Sequence, residues 1–198
     1  MTPIGRAGFE RKLREKADLT PREFQLIMLA YRLAKYGHRN QERDDGGRYF
    51  EHPKRVALIL IDENTEFMPL KPEMVVAALL HDIKEDSFIL TWEDIEMIFG
   101  KNIKEMIETL TKDKTLEKQL RTESYFKRLI TASSEIKNVK LADRLDNMRD
   151  LGNCSPEKQK TYFKETTDFF LPLARKTNWL LHHLLKQECD KYANKELP

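Results

Sequence analysis

The stretch that decides the fold of this 198-residue chain reads Met74-Val75-Val76-Ala77-Ala78-Leu79-Leu80-His81-Asp82. Its first seven residues are apolar, so the pattern predicts a buried helix that ends in an imidazole and a carboxylate. Such a pair is half of a metal site, and His52 and Asp143 can supply the other half. Two imidazoles and two carboxylates can hold one divalent cation and leave coordination positions open for water and a substrate oxygen.

The composition predicts a mostly helical protein. Charged residues make up 34% of the chain and hydrophobic residues 40%, while Gly (7 residues) and Pro (8 residues) are scarce. A chain of this length suits one domain and buries roughly 70% of its extended-chain surface on folding. Trp92 and Trp179 are expected to be packing residues. Because no segment shows the sustained alternation of a strand, we predict an all-α fold, a compact multi-helix bundle, in one domain over residues 1–198.

Charge, hydropathy and cysteine content argue against several classes of function. The net charge of +2 is the remainder of 35 basic and 33 acidic residues, so the chain has no basic excess that would indicate nucleic-acid binding. No run approaches the ~20 apolar residues of a membrane span, and the N-terminal segment lacks the apolar stretch of a signal peptide. Cys154 and Cys189 have neither disulfide-framework density nor CxxC spacing. We therefore expect a cytoplasmic protein with no nucleic-acid or membrane partner, and the sequence leaves the oligomeric state open.

Start and stop signals place individual helices. The stretch Thr20-Pro21-Arg22-Glu23 has the residues of a capping box with Pro at the first helical position, and Gly37 is a C-terminal stop. Lys71-Pro72 begins the decisive helix, and Thr91-Trp92-Glu93-Asp94 resembles another capped helix start, with Gly100 as the stop. Later helices are expected at about residues 101–112, 116–133, 135–149, 156–171 and 173–192.

Each metal-ligand candidate, taken alone, has a more ordinary explanation. A His-Pro pair such as His52-Pro53 usually marks a helix start, and a His-Asp pair at a helix end is usually a cap or a surface pair. A lone Asp143 beside Arg144 is usually an ion pair. Asp143, however, lies in the apolar segment Val139–Leu145, where an unpaired carboxylate would be costly. A shared cation would resolve this cost and that of His81-Asp82 together, so the combination favours a metal site.

Four ordered blocks of the chain, within about residues 24–151, resemble the HD-domain metal-dependent phosphohydrolases. The likeness is strongest to the RelA/SpoT-type alarmone hydrolase branch. The blocks are the segment His38–Pro53, then Ala77-Ala78-Leu79-Leu80-His81-Asp82-Ile83-Lys84-Glu85-Asp86, then Phe99-Gly100 with Leu110-Thr111-Lys112, and finally Lys140-Leu141-Ala142-Asp143-Arg144-Leu145-Asp146-Asn147-Met148-Arg149. This core would be followed by C-terminal helices over about residues 156–192.

The resemblance implies an all-helical hydrolase that removes the 3′-pyrophosphate of (p)ppGpp, usually with Mn²⁺. It implies four metal ligands, which are His52, His81, Asp82 and Asp143. It makes Glu85 and Asp86 the catalytic carboxylates, and it places Arg43 against the base and Asn147 against the nucleoside. Because the chain ends before any room for the family's synthetase domain, the resemblance implies a stand-alone hydrolase.

The chemistry of these residues agrees with such roles. A divalent ion lowers the pKa of a bound water and withdraws charge from a phosphoryl oxygen. Glu85 would share a face with the ligands if the turn after Asp82 is helical, and it could then orient a water or handle its proton; the alternative for Glu85-Asp86 is a solvated acidic turn. The guanidinium of Arg43 can stack on a purine, although a solvated loop arginine is the alternative. Three further basic residues could meet phosphate, with surface or ion-pair roles equally open: Lys112, Lys140 and Arg144.

Three acidic residues depart from the family pattern near the expected nucleoside pocket. Asp44 stands where the family often has a basic residue, Asp146 where it often has His, and Asp150 where it often has Thr. They leave the metal and catalytic sets intact, so the reaction type is better determined than the substrate. Two alternatives therefore stay open, namely a phosphatase for another nucleotide such as NADPH and a non-catalytic nucleotide-binding sensor.

Overall fold

The computed structural model describes residues 4–63, 69–86 and 89–196, with the side chains of all of these except Glu85, Asp86, Lys195 and Glu196. The helices are α1 (Arg6–Lys16), α2 (Pro21–Gly37), α3 (Glu51–Asp62), α4 (Pro72–Leu80), α5 (Ile83–Asp86), α6 (Trp92–Phe99), α7 (Lys101–Leu110), α8 (Lys118–Thr131), α9 (Ser134–Arg149), α10 (Pro156–Glu165), α11 (Leu171–Thr177) and α12 (Trp179–Glu196). The described ranges contain one isolated β-bridge, Glu42 to Arg48, and no strand. The prediction of an all-α fold is confirmed. In the same ranges, no helix has both the length and the apolar character that crossing a bilayer requires.

The decisive stretch forms the central helix of the bundle. Every residue of Met74–Leu80 is at most 1% exposed, as expected for a helix that is apolar on all sides. Helix α4 packs against α2, α3, α7 and α9. Because α4 is enclosed on all sides, the residues that follow it emerge inside the bundle rather than at its surface, and His81 is 3% exposed.

The predicted capping boxes are confirmed. At the start of α2, the Glu23 backbone donates to Thr20 Oγ1 at 3.3 Å, and Glu23 Oε2 accepts from the Thr20 backbone at 2.8 Å. The same reciprocal pair joins Thr91 and Asp94 at the start of α6. Gly100, with φ of +88°, ends α6 in a backbone conformation that favours glycine. The starts of α2 and α6 each depend on two residues three positions apart. Because this spacing is short, a sequence pattern is enough to locate them.

The predicted break between residues 171 and 173 is wrong. The chain continues from α10 through a π-helical segment, Thr166–Phe170, into α11, and the break comes at Asn178. A proline provides no backbone N–H for the helix ladder, but Pro172 lies in the first turn of α11, directly after the wider π-helical turn. Asn178 has an extended backbone, and its side-chain oxygen accepts from the Leu181 backbone at 3.1 Å to cap α12. Trp179 beside it is 65% exposed, so the expectation that it packs in the core is also wrong.

Three mutually packed helices carry the predicted ligands. Helices α3, α4 and α9 each contact the other two. His52 lies in the first turn of α3, His81 directly follows α4, and Asp143 lies in the middle of α9. The junction of these helices is therefore where the candidate site forms.

Replacing Leu79 with alanine tests the central position of α4. Leu79 is fully buried, so Leu79→Ala should lower the free energy of unfolding by about 2–5 kcal/mol through lost burial and a residual cavity. Leu120→Ala is the control, because Leu120 is 57% exposed and its loss should cost less than about 0.5 kcal/mol. Urea denaturation measures both values. Equal small losses would contradict the buried position of α4.

Candidate metal centre and substrate cavity

His52, His81 and Asp143 form a compact group, which we name the ligand cluster. All three are buried, and each offers one ligand atom within 4.8 Å of the other two. His52 Nε2 is 3.1 Å from Asp143 Oδ1, and His81 Nε2 is 3.6 Å from the same oxygen. The two imidazole rings meet edge to face with their centres 5.2 Å apart. Two nitrogens and one oxygen therefore face a common point.

Asp82, the fourth predicted ligand, lies beside the same two imidazoles. Its Oδ2 is 3.1 Å from His81 Nε2 and 3.7 Å from His52 Nε2. The hydroxyl of Tyr49 donates to this oxygen at 2.7 Å. Sequence analysis gave Tyr49 no role, although it lies three residues before His52, at a spacing that can bring two side chains onto the same side of a helical turn.

The donor set fits a divalent cation. His81 Nδ1 is 2.8 Å from the carbonyl of Ala78, which assigns the ring proton to Nδ1 and leaves the Nε2 lone pair facing the cluster. This Nε2 is buried and makes no hydrogen bond, although two carboxylate oxygens lie within 4 Å. A buried, unbonded nitrogen among carboxylates is the arrangement that a cation satisfies. Imidazole with carboxylate suits first-row divalent ions.

The electrostatics of the cluster keep its carboxylates ionised. Burial raises the pKa of Asp143, but the charge of Lys140 and contacts with the two histidines outweigh it and hold that pKa well below its ordinary value. Burial likewise raises the pKa of Asp82, and the charge of His81 more than reverses the effect. For His81 the signs are opposite: burial lowers the pKa, and Asp82 and Asp143 hold it well above its ordinary value. A metal ion must therefore compete with a proton for this imidazole.

Asp146 supports His52 from the side opposite the cluster. Its carboxylate is 2% exposed, and its Oδ2 is 2.7 Å from His52 Nδ1. Arg55 binds both oxygens of Asp146, through Nε at 2.6 Å and Nη2 at 2.9 Å. A carboxylate on the far nitrogen fixes the tautomer and the direction of a ligating imidazole. Sequence analysis connected Asp146 only with the nucleoside pocket, whereas this contact places it behind a predicted metal ligand.

Asp143 is held from both sides along α9. Lys140 Nζ lies 2.5 Å from Asp143 Oδ2, and Asn147 Nδ2 donates to Asp143 Oδ1 at 2.6 Å. Burial lowers the pKa of Lys140, but the charge of Asp143 holds it well above its ordinary value. Lys140 therefore carries a positive charge at the cluster.

A cavity of about 260 Å³ opens beside the ligand cluster. Four of the side chains that were predicted to bind substrate line it, namely Arg43, Lys112, Lys140 and Asn147. His52, Asp82 and Asp143 line the same cavity. Arg43 Nη2 donates to Asn147 Oδ1 at 3.0 Å, so these two residues are already in contact. With Lys158, four cationic side chains line the cavity, and they lie beside the four carboxylates of Glu42, Asp44, Asp82 and Asp143. The cations suit an anionic group of a ligand, and the carboxylates suit a metal cation.

Arg144 differs from the other predicted substrate-binding residues. Its guanidinium is 3% exposed and donates to Glu165 Oε2 at 2.9 Å. It also lies over the Phe170 ring at 3.9 Å and the Tyr162 ring at 4.2 Å. It is not among the residues that line the cavity. These contacts favour the ion-pair role that the sequence left open for Arg144.

The two other acidic departures also have cationic partners. Asp44 lines the cavity, and its Oδ2 accepts from Lys158 Nζ at 2.6 Å and from Cys154 Sγ at 3.1 Å. Asp150 binds Arg55 and lies 3.4 Å from Arg43 Nη2. Neither carboxylate is an isolated negative charge at the cavity.

For the predicted catalytic carboxylates, Glu85 and Asp86, the structure describes the backbone. Glu85 and Asp86 close the short helix α5, which begins one residue after Asp82. Their side chains lie outside the described part of the chain. Their roles stay a prediction.

Replacing Asp146 with asparagine tests the support of His52. Asp146→Asn removes the charge that binds His52 Nδ1 and Arg55, so the affinity for a divalent cation should fall by about 10–100-fold. Calorimetric titration of the metal-stripped protein with Mn²⁺ measures this affinity. Asp62→Asn is the control, because Asp62 binds Lys12 at the opposite end of α3. An Asp146→Asn protein with wild-type affinity would mean that this contact has no part in metal binding.

Curated relatives resemble the chain over most of its length. A protein of Aquifex aeolicus named guanosine-3′,5′-bis(diphosphate) 3′-pyrophosphohydrolase is 31% identical over 98% of this chain and 29% of its own length. The bifunctional (p)ppGpp synthase/hydrolase SpoT of Escherichia coli K12 is 36% identical over 82% of this chain and 23% of its own length. The chain therefore spans less than a third of these relatives.

A solved structure shares the fold. It is described as a metazoan ortholog of SpoT that hydrolyzes ppGpp, and it covers 92% of this chain and 100% of its own with a TM-score of 0.75 and 29% identity. The sequence profile of the HD domain matches residues 30–179, a range that contains the ligand cluster and the cavity. Hydrolases with this domain depend on a divalent metal, in agreement with the grouping of His52, His81 and Asp143. The chain belongs to the HD domain family.

Proposed function

We propose that this protein hydrolyses the 3′-pyrophosphate of (p)ppGpp to GDP or GTP and pyrophosphate. The observation that carries the proposal is the junction of the ligand cluster with a cavity lined by Arg43, Lys112 and Lys140. The names of the Aquifex and Escherichia relatives and the description of the metazoan structure support the same reaction. In this proposal residues 1–198 act as one hydrolase domain on a cytoplasmic nucleotide.

Four side chains would hold the metal, and we propose Mn²⁺ as the ion. They are His52, His81, Asp82 and Asp143. When bound, the ion would supply positive charge to a phosphoryl oxygen and make a water more acidic. The fit of the donor atoms supports this role, because His81 Nε2 is buried without a hydrogen bond beside two ionised carboxylates.

The cavity residues would bind the rest of the nucleotide. Arg43 would stack on the base, since its planar guanidinium suits a purine face, and its bond to Asn147 would keep both groups beside the nucleoside. Lys140 would lie near the scissile diphosphate, because its Nζ is already 2.5 Å from Asp143. Lys112, which also lines the cavity, would bind a phosphate group of the nucleotide.

A panel of nucleotides tests the reaction. The protein should release pyrophosphate from ppGpp and pppGpp with Mn²⁺, leaving GDP and GTP, and should release none without a divalent ion. His81→Ala should abolish this turnover because it removes an atom of the ligand cluster. His183→Ala, at an exposed position of α12, is the control and should keep it. Chromatography of the nucleotide products gives the readout.

The same panel separates the alternatives. Cleavage of NADPH without action on ppGpp, or release of monophosphate alone, would reject the alarmone assignment and leave a metal-dependent phosphatase. Binding of ppGpp without turnover of any nucleotide would instead indicate a sensor.

The catalytic carboxylates are tested separately. We propose that Glu85, at the third position of α5, orients the attacking water or takes its proton, with Asp86 beside it. Glu85→Gln keeps the shape but removes the proton acceptor, so kcat should fall by about 10²–10⁴-fold while Mn²⁺ affinity changes little. Glu93→Gln, at an exposed position of α6, is the matched control. Wild-type turnover in Glu85→Gln would assign Glu85 to the solvated acidic turn.

A further inference from the structure

Arg55 lies behind the metal centre and joins two parts of the molecule. It is on α3, three residues after His52. Its guanidinium binds both oxygens of the buried Asp146, through Nε at 2.6 Å and Nη2 at 2.9 Å. Bidentate binding fixes the plane of a carboxylate as well as its position. Since Asp146 binds His52 Nδ1, the plane of this carboxylate sets the direction in which His52 Nε2 points.

The same guanidinium also reaches towards the nucleoside end of the cavity. Arg55 Nη2 binds Asp150 Oδ2. That oxygen is 3.4 Å from Arg43 Nη2, which in turn donates to Asn147 at 3.0 Å. Asp150 is therefore shared between two arginines, and Arg55 determines how much of its charge is left to attract Arg43.

We infer that Arg55 is a positioning residue that couples metal affinity to nucleotide affinity. It acts on the metal through Asp146 and His52, and on the nucleotide through Asp150 and Arg43. The nucleotide half rests on the proposed function, whereas the metal half requires only the ligand cluster. Arg55 is not among the residues that line the cavity, and its side chain binds Asp146 and Asp150, so its effect passes through these carboxylates.

Loss of the Arg55 guanidinium should disturb both the support of His52 and the position of Arg43. Asp146 and Asp150 are four residues apart on one face at the end of α9, where like charges repel. Without Arg55 they lose their shared counter-charge, and Asp146 loses the group that fixes its plane. Asp150 would then attract Arg43 alone and draw it away from Asn147.

The experiment compares four variants by calorimetry and kinetics. They are Arg55→Met, Arg55→Lys, Asp150→Asn and the control Arg6→Met, which removes an arginine bonded to Glu10 at 2.7 Å on α1. Mn²⁺ is titrated into each metal-stripped protein, and ppGpp is titrated into the same metal-free proteins so that no turnover enters the measurement. KM and kcat are then determined with Mn²⁺.

Each variant has its own expected result. Arg55→Met should weaken Mn²⁺ binding about tenfold and also weaken ppGpp binding, with KM affected more than kcat. Asp150→Asn removes the carboxylate that competes with Asn147 for Arg43, so it should leave Mn²⁺ binding unchanged and should not weaken ppGpp binding. Arg55→Lys keeps the charge but cannot bind both oxygens of Asp146, so it should restore ppGpp binding more fully than Mn²⁺ binding. Arg6→Met should change neither.

Unchanged Mn²⁺ affinity in Arg55→Met would overturn the inference, even if the melting temperature fell, because a purely structural ion pair predicts that pattern. A loss of Mn²⁺ affinity together with unchanged ppGpp affinity would overturn the coupling. If the wild-type protein with Mn²⁺ releases no pyrophosphate from ppGpp, the proposed substrate fails, and the Mn²⁺ titrations still decide whether Arg55 positions His52.

Discussion

The buried charge of Asp143 is the constraint on which the rest of the structure depends. Its carboxylate is 4% exposed at the junction of α3, α4 and α9, where the desolvation of an ion is expensive unless partners surround it. Lys140 and Asn147 bind its two oxygens from the same helix, and two imidazoles face it from the neighbouring helices. The apolar enclosure of α4 makes this arrangement necessary, because it delivers His81 into the interior rather than to solvent. A divalent cation is the natural completion of such a set.

A second layer of charge surrounds the first, and it contains the three acidic residues that the resemblance marked as unusual, Asp44, Asp146 and Asp150, with their cationic partners. Asp146 and Asp150 share Arg55, while Asp44 is paired with Lys158. Burial raises the pKa of Asp146, but its bonds to His52 and Arg55 lower it below its ordinary value, so the carboxylate stays ionised behind the metal ligand. Each of these three carboxylates therefore has a cationic partner. Asp146 contacts His52, and Asp150 lies 3.4 Å from Arg43, so these two carboxylates can affect the positions of both side chains.

Sequence predicted the parts of the fold that depend on short-range chemistry. The capping boxes at Thr20 and Thr91 and the enclosed helix before His81 could be read because each signal lies within a few residues. The end of α10 could not, because a π-helical segment accommodates Pro172 and the break depends on the Asn178 cap instead. The candidate site likewise has features that local motifs predict and features that depend on long-range contacts. The ligand set is carried by local motifs, whereas the Asp146 contact with His52 joins residues 94 positions apart, and no local pattern indicates which way Asp146 faces.

Asp44 shows why substrate preference is harder to infer than reaction type. Its carboxylate accepts a hydrogen bond from Lys158 at the cavity lining, so the positive charge of Lys158 is already paired with a carboxylate. The ligand cluster and Lys140 are held by helices of the core, and in the proposed reaction they would act at the phosphoryl group. Asp44, in contrast, lies in the loop between α2 and α3 and is half exposed, so its pair with Lys158 costs little to break. An anionic ligand that reached Lys158 would need to displace only this one surface carboxylate. The part of the cavity beside Lys158 is therefore bounded by a weak surface pair, whereas the ligand cluster is held by buried charge.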